Sequence, residues 1–253
     1  MSTNFNKQTS AKVVLVTGAA RRIGACVAEY FHSHGYRVVI HYNQSRSDAE
    51  KLAARFNATR QDSCRLWRCN LSCPETFLSI AEVLVDWQRL DVLVHNASGF
   101  RITKLGTTSE LQWDDLSNSN VKGAFFLSQT LIPWLNQSQG SIISITDIHA
   151  SRPMRDYSVY CIAKAALTMM TKSLAKELAP RIRVNAVAPG VAAAPEGDNS
   201  LDPEMHSRLL SRTPLARFGE PRDIAQAVWA LAEQCTYITG QILTVDGGRS
   251  LNL

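Results

Sequence analysis

The sequence predicts a single α/β domain, built on one doubly wound parallel sheet of about seven strands with helices on both faces. Short runs of apolar, often β-branched residues recur along the chain. Longer segments with helical periodicity separate these runs. The chain has 253 residues, of which 45% are hydrophobic, so it can bury both faces of one large sheet.

The apolar runs predict strands that are buried on both faces, because a strand with one wet face would alternate apolar and polar residues. Seven runs meet this description: Val13–Val16, Arg37–His41, Arg65–Trp67, Val92–Val94, Ser141–Thr146, Ile182–Val187 and Ile242–Val245. Strands of this kind belong in parallel sheets that carry helices on either side.

Four of the segments between these runs predict helices: Gly24–Ser33, Pro74–Trp87, Ser158–Leu178 and Pro221–Glu233. The chain shows no internal repeat, low-complexity tract or linker. We therefore expect one domain over residues 11–253, preceded by a flexible tail over residues 1–10. Residues 191–214 are predicted to form a mobile loop over the substrate pocket.

Composition narrows the classes of function. The net charge is +5, but Lys and Arg are scattered, which favours a phosphate-bearing small molecule over nucleic acid. The polar start of the chain and the lack of long apolar stretches predict a cytoplasmic protein with no membrane partner. The six cysteines form no CxxC pair, so we expect free thiols and no metal site.

A glycine turn follows the first predicted strand, in Thr17–Gly24. Such a turn between a strand and a helix lets a phosphate approach backbone N–H groups at the helix N-terminus, as in Rossmann-type domains. Gly18 and Gly24 remain as glycines, while Arg22 takes the place where a third glycine often occurs. We expect its guanidinium to contact the cofactor pyrophosphate on one side and a planar or anionic substrate on the other.

The end of the second strand distinguishes the two nicotinamide cofactors. An acidic residue there would bind a ribose 2′-hydroxyl and repel a 2′-phosphate. Here the chain reads His41-Tyr42-Asn43-Gln44-Ser45-Arg46, with no carboxylate before Asp48. This stretch predicts NADPH as the cofactor.

Tyr160 and Lys164 are four residues apart on a predicted helix, which places both side chains on one face. An ammonium near a phenol is expected to lower the phenol's pKa. Tyr160 is then a proton donor to a substrate that receives a hydride from the cofactor.

With these motifs the chain resembles the short-chain dehydrogenase/reductase family over almost its whole length. The resemblance rests on TGAARRIG at 17–24, HNAS at 95–98, Asn120, YCIAK at 160–164, VNAVAPG at 184–190 and TVDGG at 244–248. It implies that Asn120 supports a water-linked proton relay to the catalytic pair. It also implies a homotetramer in which the helix carrying Tyr160 packs against a partner subunit, although that helix could instead pack only on its own sheet.

The resemblance, the glycine turn and the end of the second strand together give a set of expected cofactor-binding residues. These are Gly18, Arg22, Ile23, Gly24, Tyr42, Asn43, Gln44, Ser45, Arg46, Asn70, Leu71, Asn96, Ala97, Ser98, Lys164, Pro189 and Gly190.

One departure from the family points to the substrate. The family usually has a serine thirteen residues before its tyrosine, and this chain has Asp147 there. An ionised carboxylate cannot donate a hydrogen bond to a carbonyl, and it repels a developing alkoxide. It accepts from amino and N–H groups, which favours a C=N bond in a nitrogen heterocycle.

Other features resemble the pteridine reductases and dihydromonapterin reductases within the family. They are Arg22 in the glycine turn, the segment Asn96–Phe100, and the segment Ile40–Ser45. The resemblance implies that Arg22, Ser98, Phe100, Asp147 and Tyr160 bind substrate, with Phe100 stacked on a flat pterin. Gln44 and Asn70 depart from the family, which has arginine and aspartate at these positions, so Ser45 or Arg46 is expected to carry more of the phosphate binding.

Three functions remain open from the sequence. The first is reduction of a dihydropterin, such as dihydromonapterin, dihydrobiopterin or dihydrofolate, to its tetrahydro form. The second is reduction of a carbonyl group. The third is a non-catalytic regulator that binds NADPH.

Overall fold

A computed structural model of the chain describes residues 11–192 and 202–252. Its seven strands form one parallel sheet in the order β3-β2-β1-β4-β5-β6-β7. The strands are β1 (Val13–Val16), β2 (Arg37–Tyr42), β3 (Cys64–Arg68), β4 (Val92–His95), β5 (Ser141–Ile145), β6 (Arg183–Pro189) and β7 (Ile242–Val245). The predicted fold class and all seven strands are confirmed.

Helices cover both faces of this sheet. They are α1 (Arg22–Ser33), α2 (Arg46–Thr59), α3 (Ile80–Leu84), α4 (Glu110–Ser117), α5 (Gly123–Ser138), α6 (Ser158–Leu178), α7 (Pro203–Ser211) and α8 (Pro221–Trp229). The predicted helix over Ser158–Leu178 has the bounds of α6. The predicted helix over 74–87 is wrong in form, because a 3-10 turn at Pro74–Ser79 precedes the short α3.

The region 191–214 was predicted as a loop, and this is wrong for its second half. Asp202 caps α7 by accepting a hydrogen bond from the backbone of Met205 (2.7 Å), and Pro203 occupies the first turn. Nine residues of the predicted loop are therefore helical. Its segment 193–201 and the tail at 1–10 lie outside the described residues.

The central strand β1 packs against two cores. Val14 and Val16 of β1 join the core under α1, α2 and α8, while Val13 and Leu15 join the core under α3, α5 and α6. Because alternate residues point to opposite faces, both faces demand apolar side chains. This explains the continuous apolar runs in the sequence. No described helix has the length and apolar character that crossing a membrane requires.

All strands run in one direction, so their carboxyl ends share one edge of the sheet. The strand order reverses between β1 and β4, because β2 and β3 lie on one side of β1 and β4–β7 on the other. Ligands of open α/β sheets bind in the crevice at such a switch point.

Candidate active site

The glycine turn after β1 is tightly packed. Gly18 has φ +61°, and a Cβ atom on it would lie 3.0 Å from the Cα of Ala97. A Cβ atom on Gly24 would lie 2.4 Å from the carbonyl oxygen of Gly18 and 2.5 Å from Asn96 Nδ2. Both positions therefore require glycine. Arg22, also with a left-handed φ of +54°, is exposed at the start of α1.

Thr17 and Asn96 join the turn to the end of β4. Thr17 Oγ1 accepts hydrogen bonds from the backbone N–H groups of Asn96 (2.9 Å) and Ala97 (3.0 Å). Asn96 Nδ2 donates to the carbonyl oxygens of Thr17 (2.8 Å) and Gly18 (3.1 Å). Asn96 and Ala97 thus hold the turn through hydrogen bonds. Sequence reasoning missed Thr17, whose signal is a hydroxyl at the end of an apolar strand.

His41 is a second residue that sequence reasoning missed. Its Nε2 lies 3.1 Å from the carbonyl oxygen of Cys69 and must donate to it, because a carbonyl only accepts. Nδ1 is then unprotonated and accepts from the backbone N–H of Gly18 at 3.0 Å. Burial lowers the pKa of His41 to about 4. A neutral imidazole therefore connects the glycine turn to the loop after β3.

The expected cofactor-binding residues beyond β2 and β3 lie at the same edge of the sheet. Tyr42 is buried, Asn43 and Gln44 are exposed, and Ser45 precedes α2 without a side-chain cap hydrogen bond. Arg46 Nε donates to Glu50 Oε1 at 2.7 Å. After β3, the side-chain oxygen of the exposed Asn70 accepts from the backbone of Ser72 (3.0 Å), while Leu71 is buried.

The catalytic candidates Tyr160, Lys164 and Asp147 meet at the end of β5. The Tyr160 hydroxyl donates to Asp147 Oδ2 at 2.6 Å, and Lys164 Nζ donates to the carbonyl oxygen of Ile145 at 2.9 Å. The other Asp147 oxygen, Oδ1, accepts from the backbone N–H of His149 at 2.8 Å and caps a short 3-10 turn. The backbone thus fixes the carboxylate so that it faces the phenol.

The pKa of Tyr160 corrects a prediction from the sequence. Burial raises this pKa well above the ordinary value, and the charge of Asp147 raises it further. Lys164 does not reverse this effect, since its ammonium lies 5.7 Å from the centre of the Tyr160 ring and binds a carbonyl. Burial lowers the pKa of Lys164 to about 8, against an opposing effect of Asp147. Tyr160 is therefore a protonated phenol at neutral pH.

Asn120 lies in the π-helical turn 118–122 between α4 and α5. Its side-chain oxygen accepts from Ser98 Oγ (2.6 Å), and its amide donates to the carbonyl oxygens of Gly99 (3.0 Å) and Leu116 (2.9 Å). The side chain thus holds the loop after β4 in place. These bonds position Ser98 and the neighbouring Phe100, which belong to the same loop.

Phe100 packs against Tyr160, the candidate proton donor. Its ring stacks on Tyr157, with centroids 4.7 Å apart and an interplanar angle of 15°. The same ring meets Tyr160 edge to face, at 4.9 Å and 80°. Tyr157 was missed in the sequence, although it lies one helical turn before Tyr160. The three rings form an aromatic wall beside the phenol hydroxyl.

Pro189 and Gly190 end β6 next to the C-terminal segment. Pro189 is buried, and a Cβ atom on Gly190 would lie 2.7 Å from Asp246 Cβ. This close approach requires glycine at position 190.

The glycine turn, the neutral end of β2 and the Tyr160–Lys164 pair meet at one sheet edge, and they define a nicotinamide-dependent oxidoreductase. The profile of a family described as enoyl-(acyl carrier protein) reductase matches residues 18–250. The chain belongs to the short-chain dehydrogenase/reductase family.

Relatives named for two different activities match nearly the whole chain. The 3-oxoacyl-(acyl-carrier-protein) reductase FabG of Staphylococcus aureus is 38% identical over 240 residues, which cover 94% of this chain and 97% of the relative. Pteridine reductase 1 of Leishmania tarentolae is 36% identical over an alignment of 284 positions, which covers 96% of this chain and 97% of the relative. A FabG of Thermotoga maritima is 34% identical over 247, covering 94% and 97%.

Proposed function

We propose that this protein is an NADPH-dependent pteridine reductase that converts a dihydropterin to its tetrahydro form. The observation that carries the proposal is the 2.6 Å hydrogen bond from Tyr160 to Asp147. An ionised carboxylate beside the phenol offers acceptors only. It would bind the N–H groups of a pterin, and it would repel the oxyanion that forms when a ketone receives a hydride.

The chemistry assigns a separate task to each side chain. NADPH, when bound, supplies the hydride that reaches the carbon of the C=N bond. The Tyr160 hydroxyl gives its proton to the nitrogen, so that C=N becomes CH–NH. The partly buried Asp147 then passes a solvent proton back to the phenolate, whose formation beside a carboxylate is otherwise unfavourable. Lys164 offsets part of the negative charge from the other side.

Further features support a pterin as the substrate and NADPH as the cofactor. Phe100 offers an aromatic wall for a flat ring, and Arg22 lies exposed at the phosphate turn. Beyond the end of β2 the first carboxylates, Asp48 and Glu50, lie within α2, where each pairs with an arginine, at 3.8 Å and 2.7 Å. A 2′-phosphate would therefore meet the α2 N-terminus without direct repulsion.

Carbonyl reduction is the second candidate function. It is favoured by the 38% identity to a relative named 3-oxoacyl-(acyl-carrier-protein) reductase. The two candidates differ at Asp147, because a carbonyl substrate gains from a hydroxyl donor there and a pterin gains from a carboxylate.

The test follows NADPH oxidation at 340 nm with dihydrobiopterin, dihydromonapterin, dihydrofolate and acetoacetyl thioesters. We expect turnover of at least one dihydropterin and none of the thioesters. Asp147→Ser should lower pterin turnover about 100-fold or more while leaving the NADPH dissociation constant unchanged. Turnover of thioesters alone would support the second candidate. A flat trace with all substrates, despite tight NADPH binding, would support a regulator.

We also propose that the protein is a homotetramer that uses the outer face of α5 and α6. This face exposes Phe125 (42%), Phe126 (36%) and Met169 (60%), a concentration of apolar surface that a second copy of the chain would cover. Light scattering on wild type should give a tetramer, and Phe125→Glu should give a smaller species. Val85→Glu is the control, since Val85 is 54% exposed at the end of α3, beside β3. A monomeric wild type would contradict this assembly.

A further inference from the structure

The C-terminal turn approaches the active site from the side of β6 and β7. Asp246 fixes this turn by accepting hydrogen bonds from the backbone N–H groups of Gly248 (2.8 Å) and Ser250 (2.7 Å). Gly247 and Gly248 both have left-handed φ values, +63° and +85°. The residue that follows them, Arg249, is therefore held by a rigid backbone beside Gly190, whose place for a side chain is filled by Asp246.

Arg249 is a buried cation with an unsatisfied donor. Only 8% of the residue is exposed, and its Nε atom has no hydrogen-bond partner within the described ranges 11–192 and 202–252. Burial lowers the pKa of Arg249, and the negative charges of Asp147 and Asp246 act against that shift. The guanidinium thus lies within electrostatic reach of the carboxylate that contacts Tyr160.

Arg183 shows what a structural arginine looks like in this fold. It is partly buried, and its Nη1 atom donates to the carbonyl oxygens of Leu231 (2.6 Å) and Cys235 (3.2 Å). A third carbonyl oxygen, that of Ala232, accepts from Nη2. Arg249 makes no comparable bonds through its Nε. A buried donor without a partner destabilises the fold, so its presence at the carboxyl edge of the sheet points to a partner that arrives with the ligand.

We infer that Arg249 is a substrate-binding residue that selects for a carbonyl acceptor next to N–H donors. Asp147 offers acceptors and Arg249 offers donors, and they follow β5 and β7 at the same carboxyl edge of the sheet. A planar ring with adjacent N–H and C=O groups satisfies both side chains, and the pyrimidinone ring of a pterin has this pattern. The identity of the ring rests on the proposed function, whereas the need for a carbonyl acceptor does not.

The experiment compares Arg249→Met, Arg249→Lys and Arg183→Met in the full-length protein. Arg249→Met should raise the KM for the dihydropterin roughly 10- to 100-fold, the range expected for a lost hydrogen bond to a charged group. Its NADPH dissociation constant should stay within about twofold of wild type, and its Tm should not fall. Arg249→Lys should recover part of the KM. Arg183→Met should lower the Tm and leave the KM unchanged.

Two results would overturn the inference. One is an unchanged KM in Arg249→Met. The other is a Tm loss like that of Arg183→Met, with NADPH affinity falling in parallel. If wild type reduces only thioesters, the pterin proposal fails, and Arg249 is judged by the KM for the thioester carbonyl. If wild type reduces nothing, the same variants are compared by the dissociation constant of dihydrobiopterin from the NADPH-loaded protein.

Discussion

The two halves of the sheet edge satisfy their polar groups differently. In the cofactor half, around β1, β2 and β4, His41 and Asn96 bond to the backbone of the glycine turn, and Thr17 accepts from the backbone that follows β4. In the substrate half, around β5, β6 and β7, the buried Arg249 Nε is left without a hydrogen-bond partner in the part of the chain that the structure describes. Side chains of the protein itself hold the glycine turn of the cofactor half, whereas Arg249 in the substrate half retains a buried donor that a ligand can satisfy.

The substrate half also contains the perturbed acids and bases. Burial raises the pKa of Tyr160 and lowers that of Lys164, and the two surround a partly buried carboxylate. Burial acts on His41 in the cofactor half as well, but there it yields a neutral group with both ring nitrogens bonded. Burial therefore keeps a neutral, fully bonded imidazole in the cofactor half. In the substrate half it shifts the pKa values of the proposed catalytic groups.

The largest expected effect comes from removing the phenol hydroxyl. Tyr160→Phe should lower kcat by about 100- to 10,000-fold, because the nitrogen then lacks its proton donor. The NADPH dissociation constant should stay the same, since the cofactor half is untouched. Tyr237→Phe, at a fully exposed tyrosine, is the control. If Tyr160→Phe kept wild-type turnover, the proposed role of Tyr160 as proton donor would be contradicted.

The cofactor half is tested by Gly24→Ala. The new Cβ would lie 2.4 Å from a backbone oxygen, so the turn must shift, at a cost of about 1–3 kcal/mol in folding free energy. NADPH affinity should fall about tenfold or more while the kcat at saturating NADPH changes little. Gly219→Ala is the matched control, because its Cβ would meet atoms only at 3.5 Å or beyond. Normal NADPH binding in Gly24→Ala would show that the turn tolerates movement.

The sequence predicted the elements that repeat a local pattern. Val13–Val16 and Ser158–Leu178 have the predicted bounds, because apolar runs and helical stripes depend on neighbours in the chain. The helix Gly123–Ser138 was not predicted, and Pro133 inside it acts against a helical interpretation. Arg46–Thr59 was missed too, since its apolar residues are few among many polar ones.

The site was predictable where spacing alone places the atoms. A spacing of four residues puts Tyr160 and Lys164 on one face, but it does not say that Asp147 receives the hydroxyl, and so the pKa of Tyr160 was predicted in the wrong direction. His41 and Arg249 reach the site only through contacts between distant parts of the chain. Such contacts depend on the closed fold, which no local pattern reveals.

Acid should destabilise the fold partly through the cofactor half. The pKa of His41 is about 4 in the folded state and near 6.5 when unfolded, so the unfolded chain binds more protons between these values. Stability therefore falls as the pH drops from about 6.5 to 4, by up to roughly 1.4 kcal/mol per pH unit for this group. Urea unfolding at several pH values should show a shallower loss in His41→Gln than in wild type. The exposed His34→Gln should behave like wild type, and an unchanged slope in His41→Gln would contradict a buried neutral imidazole.

The smallest expected effect concerns Arg46, which separates the binding of a 2′-phosphate from the rest of cofactor binding. The side chain is exposed and pairs with Glu50, so its attraction to a phosphate is screened and shared. Arg46→Gln should raise the KM for NADPH a few-fold and leave the KM for NADH unchanged. Glu50→Gln frees the guanidinium and should lower the KM for NADPH at low salt. If Arg46→Gln raised both KM values equally, the side chain would support α2 rather than the phosphate, and the preference for NADPH would depend on Ser45 and the helix N-terminus.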